Sequence, residues 1–268
     1  MKKVIGFIIL GITLSTIGCK NERDTASVES VEELPKGFLY QGVIGDSLLI
    51  LLKKDFQVQE SYSYAKARRL MYGDIDLNDA NELKTIYTQY TIKINTYGNL
   101  IDQAYDQGVN CEHVYPQSKG ARELPMKSDM HHLFPCKENV NATRRNFRFT
   151  EIDDEKTEQW FSQSTISNSI PQRNIEDYSE SAPYKFEPRE SVKGDIARAV
   201  MYFYTIYKGI ADEAFFKKME KDLIRWHKQD PVSQEELDRN NAIKYYQGND
   251  NPFVLDETLP ERIWGVKK

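Results

Sequence analysis

Between Asn110 and Cys136 the chain reads NCEHVYPQSKGARELPMKSDMHHLFPC, and no other stretch limits its folding as tightly. Three of the 4 histidines and two of the 3 cysteines lie in it. "CEHVY" reads as one strand and "DMHHLF" as a second. Pro116 to Ser128, with Gly120 and Pro125, is a turn-rich connection, so the two form an antiparallel pair with a long loop. "CKENVNATRRNF" then opens a helix, with Asn139 or Asn141 near its cap. The order strand, loop, strand, helix brings Glu, His and Asn to the place where the pieces meet. Glu112 and His113 are neighbours, and within a strand neighbours face opposite ways. At a strand end or bulge they converge on one cleft.

A Glu, a His and an Asn in one cleft suit metal-assisted hydrolysis of a phosphodiester. A hard cation such as Mg2+, or Mn2+ or Ca2+ in its place, takes oxygen ligands, and a carboxylate plus an amide carbonyl supply two. A neutral histidine beside it can take the proton of the attacking water. A structural zinc site built from Cys111, His131 or His132, and Cys136 is the rival reading. The spacing lacks the paired CxxC that marks such sites. A metalloprotease would need HExxH on a helix, which is absent.

The N-terminus has the pattern of an export signal. Met1-Lys2-Lys3 is basic, "VIGFIILGITLSTIG" is one apolar run, and Cys19 follows Gly18. The placement of Cys19 resembles a bacterial lipobox, in which that cysteine carries the lipid and begins the mature chain. Thr16-Ile17-Gly18-Cys19 lacks the usual Leu, and an ordinary cleaved signal or a simple membrane anchor are the alternatives. The expectation is a signal at 1–18, a polar tether at 19–36 after the lipidated Cys19, and a single domain over 37–268. The protein is then exported and held at a membrane, periplasmic or on the cell surface, or else secreted. With Cys19 lipidated, two cysteines remain for an oxidising compartment. An antiparallel hairpin brings its ends together, so a Cys111–Cys136 disulfide is expected over two free thiols.

Hydrophobic residues at 40% and aromatics at 12% allow a sizeable core and exclude a disordered chain. Net charge is -5, so any nucleic-acid surface must be local. Residues 110–149 are locally basic, through Lys119, Arg122, Lys127, Lys137, Arg144, Arg145 and Arg148. Such runs are most often solvated surface, yet they also fit backbone-directed binding of nucleic acid.

Elsewhere the pattern is α+β, a strand-rich middle framed by helices. "LLILLKKDF" is an apolar helix or a buried strand. Ser61 or Ser63 caps a helix through "YAKARRLMYG" that Gly73 stops, and "TIYTQYTIKI" alternates as a strand. Residues 95–108 read as loop, "FRFTEID" as a strand, and 162–188 as irregular. Three helices follow: "GDIARAVMYFYTIY", "ADEAFFKKMEKDLIRWH", and one opened by a Ser233–Glu236 capping box. Asp195 and Arg198 make an ion pair within the first. His227 sits at a helix end, and "QGNDNPF" is a turn packed by its Asn side chains.

The motifs "EHVYPQS", "PMKSDMHHLFP" and "NVNATRRNF", in that order, resemble the bacterial endonuclease I family, nucleases with a ββα-metal (His-Me finger) site. The likeness continues at "GDIARAVMYFY" and "WHKQDPVSQEELDRNNAIKYYQGNDNPFV", and more weakly at "RRLMYGDID", spanning roughly residues 60 to 256. It implies a ββα-metal core framed by helices, and an Mg-dependent endonuclease cutting DNA and also RNA with little sequence preference. His113 is then the general base, and Glu112 and Asn141 the metal ligands. Asp129, His131 and Asn146 support the site from behind, His131 by hydrogen bonding, while His132 points away. Some members hold the scissile phosphate with an Arg between the strands. Here the candidates are Lys119, Arg122, Lys127, Arg144, Arg145 and Arg148. The rival is a non-catalytic lipoprotein that binds nucleic acid or another surface on the same scaffold.

Overall fold

The computed structural model describes residues 39–265. The export signal expected at 1–18, the lipidated Cys19 and the tether at 19–36 lie outside the described residues. The apolar run left open between helix and strand is a helix, α1, Gly45–Asp55, burying Leu48, Leu49 and Leu52. Ser63 caps α2, Tyr64–Leu70, by accepting from the Lys66 amide at 3.3 Å. Gly73 does not stop that helix, which widens into a π turn over Met71–Ile75.

Strands β1, Glu82–Lys84, and β2, Thr91–Lys93, pair with Leu83 opposite Ile92. The strand expected over "TIYTQYTIKI" is therefore confined to its end. Its first half turns back, with the Gln89 amide on the Thr85 carbonyl at 2.9 Å, and this turn buries Tyr87 completely. Residues 95–108, expected as loop, contain α3, Leu100–Asp106, capped by Asn99.

Strands β3, Val109–His113, and β4, Leu133–Lys137, form the antiparallel pair, and α4, Glu138–Arg144, follows directly. The second strand starts later than expected, because Met130–His132 forms a short 3-10 turn capped by Asp129. Lys137, not Asn139 or Asn141, stands at the cap of α4, which places Asn141 in mid-helix.

The segment 162–188, expected to be irregular, holds three strands of a sheet that opens inside the expected "FRFTEID" strand. Strands β5, Arg148–Phe149, β6, Gln159–Ser162, β7, Thr165–Ser167, β8, Ser179–Ala182, and β9, Lys185–Glu187, are ordered β5-β9-β8-β6-β7. Its serines and glutamates hid it, since they are satisfied inside the fold: the Ser179 hydroxyl donates to the Tyr87 carbonyl at 2.7 Å.

Helix α5, Lys193–Ile206, is buried on nearly every side, as expected of a helix inside a core. The next expected helix is two, α6, Glu213–Lys217, and α7, Glu220–Gln229. A Cβ on Gly194 would stand 2.0 Å from the Asp230 carbonyl, so glycine is what lets α5 begin against the end of α7. Then come α8, Gln234–Gln247, α9, Pro252–Leu255, and α10, Leu259–Trp264. Ser233 caps α8, but Glu236 does not return to it; its carboxylate takes the Arg198 Nε at 2.6 Å. Arg198 also meets Asp195 at 3.1 Å. No helix among the described residues is long and apolar enough to cross a membrane.

This α+β fold has two apolar cores with the β3–β4 pair between them. One surrounds α5 and includes Phe134 and Cys136; the other lies beneath α2 and α3 and includes Val109 and Leu133. The expected disulfide is overturned here. Cys111 lies opposite Pro135 and Cys136 opposite Asn110, an offset of one, so the two thiols leave opposite faces of the pair. Cys136 enters the first core, Cys111 packs on the second, and both are free.

Candidate active site

Glu112 and His113 are the last two residues of β3 and take different partners. His113 is 7% exposed, with its ring 5.3 Å from that of Tyr64 on α2 and 5.5 Å, edge-on, from that of His132. Its Nε2 lies 3.0 Å from the Lys127 carbonyl oxygen. A carbonyl only accepts, so Nε2 carries the proton and Nδ1 is the basic nitrogen. Gln117 reaches Nδ1 with a long amide contact of 3.4 Å. Burial, and next the neighbouring His132, push the His113 pKa down to about 3, so the ring is neutral near pH 7.

Glu112 is buried between β3 and α4. Its Oε1 accepts from the Tyr87 hydroxyl at 2.7 Å and lies 3.2 Å from Arg144 Nη1. The other carboxylate oxygen has no side-chain partner among the described residues. Burial raises the Glu112 pKa against the pull of Arg144 and Tyr87 in the other direction. The Asn141 amide nitrogen donates to Asn110 Oδ1 at 2.7 Å and to the Cys111 carbonyl at 3.3 Å. The second of these partners can only accept, which fixes the amide orientation and frees Oδ1 to turn away from the strand.

That donor set fits a hard cation held by few protein ligands. A buried carboxylate with one oxygen free of side-chain partners among the described residues and an amide carbonyl stand at one strand–helix junction, and such a cation fills the rest of its shell with water and phosphate. No group of three His, Cys, Asp or Glu side chains able to hold a metal occurs among the described residues. A zinc-type cluster is thus not built here, whereas a site of one carboxylate and one amide needs no such group.

The other expected residues separate. Asp129 is a buried hub: its Oδ2 accepts from the Tyr202 and Tyr207 hydroxyls at 2.8 and 2.7 Å, and its Oδ1 from Gln247 at 2.8 Å. It anchors the 3-10 turn and touches none of Glu112, His113 or Asn141. The two histidines after it exchange their expected places. His131 Nε2 meets the Asn249 carbonyl at 2.9 Å, away from the site. His132 packs on His113 and lies 2.7 Å from the Met126 carbonyl. Asn146 donates to Ser118 at 3.2 Å, beside Gln117, and so ties the end of α4 to the loop next to His113.

Among the phosphate candidates, Arg144 is excluded. It is fully buried, stacked 4.4 Å over Phe149, and donates to the His113 and Val114 carbonyls at 3.1 and 2.6 Å. Lys119 is engaged with Asp212 at 3.0 Å. A Cβ on Gly120, at φ +130, would touch Ala211 at 3.0 Å, so this loop lies tight against the start of α6. Lys127 and Arg148 are half-buried, and Arg122 and Arg145 are exposed.

Sequence reasoning missed Tyr87, Tyr64 and Arg68. The Tyr64 ring lies between the Arg68 guanidinium, at 4.5 Å, and the Lys127 ammonium, at 5.4 Å, so two cations stand beside His113. Only the weak likeness of "RRLMYGDID" pointed to that helix, and nothing local marked Tyr87. A cavity of roughly 790 Å³ lies elsewhere, between β1, α8 and the start of α5. It includes His131, Asp195 and Arg239, but not Glu112, His113 or Asn141.

Known proteins resemble this chain over most of its described length. The family described as Endonuclease I matches residues 46–258. The chain is 28% identical over 243 residues to "Extracellular ribonuclease" of Bacillus subtilis (strain 168), covering 84% of this chain and 76% of that one. It is 28% identical over 184 residues to "Periplasmic deoxyribonuclease" of Aeromonas hydrophila, 68% of each. An "Extracellular deoxyribonuclease" of the same organism is 32% identical over 129 residues, 48% of this chain and 49% of that one.

Proposed function

Because the chain belongs to the endonuclease I family, whose members are nucleases, we propose that it is an exported, divalent-metal-dependent endonuclease that cuts DNA and RNA without reading sequence. The observation that carries this is the pairing at the end of β3. A neutral histidine with its tautomer set by the Lys127 carbonyl follows a buried carboxylate with one oxygen free of side-chain partners among the described residues.

Glu112 and Asn141 would hold the cation, with Mg2+ first and Mn2+ or Ca2+ as substitutes. When bound, it supplies charge neutralisation at the phosphate and acidifies a water. His113 Nδ1 takes the proton of the attacking water, and its Nε2–H stays on the Lys127 carbonyl throughout. So buried a base is weak, which suits a water already made acidic. Arg144 holds the Glu112 carboxylate and the His113 carbonyl together, keeping ligand and base in register. Arg68, Lys127 and Arg145 are the cations best placed to meet the phosphate backbone. No base-reading module is visible in the sequence.

The test is supercoiled plasmid and a structured RNA, each incubated with Mg2+, Mn2+, Ca2+ or EDTA. Nicking that needs a divalent cation and stops in EDTA is expected. Cleavage indifferent to EDTA overturns the metal assignment. Absence of cleavage of both substrates with every cation favours the non-catalytic binding protein.

The relatives' names, extracellular and periplasmic, together with the sequence around Cys19, support export and a lipid anchor. A Cys19→Ser chain should leave the membrane fraction and lose incorporation of labelled palmitate. Retention of both removes the anchor from the proposal.

A further inference from the structure

Strands β5 and β9 run parallel, with Arg148 opposite Lys185 and Phe149 opposite Phe186. Phe147 and Tyr184 each come just before these strands, next to Arg148 and Lys185. The inner pair is fully buried, and Tyr87 rests on it with centroids 6.3 Å from Phe149 and 4.8 Å from Phe186. The Arg144 guanidinium covers Phe149. The outer pair, Phe147 and Tyr184, has centroids 5.6 Å apart. The inner rings lie beneath Glu112, where the Tyr87 hydroxyl is bound, and the outer pair reaches water at Tyr184, which is 73% exposed.

Packing does not explain Tyr184. It occupies the turn between β8 and β9 at φ +63, a region that Gly or Asn enters far more readily. Arg145, whose guanidinium lies 5.9 Å from the Phe147 ring, is also exposed and left-handed, at φ +53 and ψ -123. Strained backbone persists where its surroundings hold it. Here the Arg145 amide donates to the Asn141 carbonyl at 3.0 Å, and Arg144 donates to the Arg145 carbonyl at 3.2 Å. The same residues that build the Glu112 site therefore aim this patch outward.

Resting on the nuclease reading, we propose that Tyr184, backed by Phe147 and flanked by Arg145, is a stacking platform for an unpaired nucleobase of a single strand whose backbone passes His113. Aromatic rings beside cations are the surface single strands use, because every base has a π face and the cations follow the phosphates. Duplex bases are already stacked and turned inward, so they cannot use it. The platform favours unpaired substrates over duplex.

The test uses binding in EDTA, where no turnover occurs, read by fluorescence anisotropy. The probes are labelled oligothymidylate and an abasic oligonucleotide of equal length. Tyr184→Asn keeps a residue that tolerates the turn while removing the ring. It should weaken oligothymidylate binding about tenfold and leave the abasic probe within twofold. Tyr184→Trp should bind oligothymidylate as the parent does. Equal affinity of Tyr184→Asn and parent for oligothymidylate overturns the platform, as does an equal loss on both probes or the same loss in Tyr184→Trp. A parent protein that cleaves nothing in any cation fails the nuclease reading, while the anisotropy still decides the stacking.

Discussion

The Arg144 guanidinium lies 3.2 Å from the Glu112 carboxylate, and both side chains are all but withdrawn from water. Breaking such a pair from one side leaves a buried charge unopposed. Arg144→Met should lower unfolding stability in urea by about 3 kcal/mol. The double variant Arg144→Met with Glu112→Gln should recover part of that loss. Additive losses in the cycle would show that the pair is not coupled.

His113→Ala removes the proposed base but no cation donor. Its turnover of plasmid should fall by about 10³-fold, within the range for lost acid–base catalysis. Nucleic-acid binding in EDTA should stay within twofold of the parent. Retained turnover would place the base elsewhere.

Tyr87→Phe deletes one hydroxyl, the one bound to Glu112 Oε1, and keeps the ring in its core. A group that orients a metal-binding carboxylate commonly contributes about tenfold or more in metal affinity. The Mn2+ concentration giving half-maximal nicking should rise by about that factor while activity at saturating Mn2+ changes little. An unchanged Mn2+ requirement would detach Tyr87, and with it Glu112, from the cation.

His227 bonds the Glu257 carbonyl at 2.9 Å, and burial pushes its pKa down to about 4 from an ordinary 6.5. Between those values the unfolded chain binds the proton and the folded one does not. This residue's contribution is therefore fully present above pH 6.5 and is lost as pH falls towards 4. The stability difference between the parent and His227→Gln should shrink by about 3 kcal/mol across that window. A difference constant with pH would refute it.

With Cys19 replaced by Ser, the chain unfolded in urea without reductant should take up two equivalents of a thiol reagent, from Cys111 and Cys136. Folded, it should react slowly, since burial pushes the Cys111 thiol up to about 12 and the Cys136 thiol well above its ordinary value. No uptake after unfolding would restore the disulfide.

How much of this was legible varies with how local the signal is. The order of β3, β4 and α4 and the apolar face of α5 through Ile196, Val200 and Phe203 follow from neighbouring residues and helical spacing, while the burial of its other sides does not. The β7–β9 strands were not legible, because a stretch rich in Ser, Asn, Gln and Pro looks like loop until its partners are known. The helical Asn141 was read as a possible cap for a related reason: residue type alone does not say where a helix begins.

What the sequence determined by itself was the set of chemical groups and their chain order: a carboxylate, a histidine and an asparagine on strand, strand and helix. What the tertiary structure decided was which groups face each other. The loop between β3 and β4 is long, so nothing local set the register, and an offset of one sent Cys111 and Cys136 to different cores. Likewise Tyr87, Tyr64 and Arg68 reach the site from far along the chain, and Arg144 turns inward to Glu112 instead of outward to phosphate. Those placements come from packing two cores against one strand pair, which depends on surfaces brought together only when the whole chain folds.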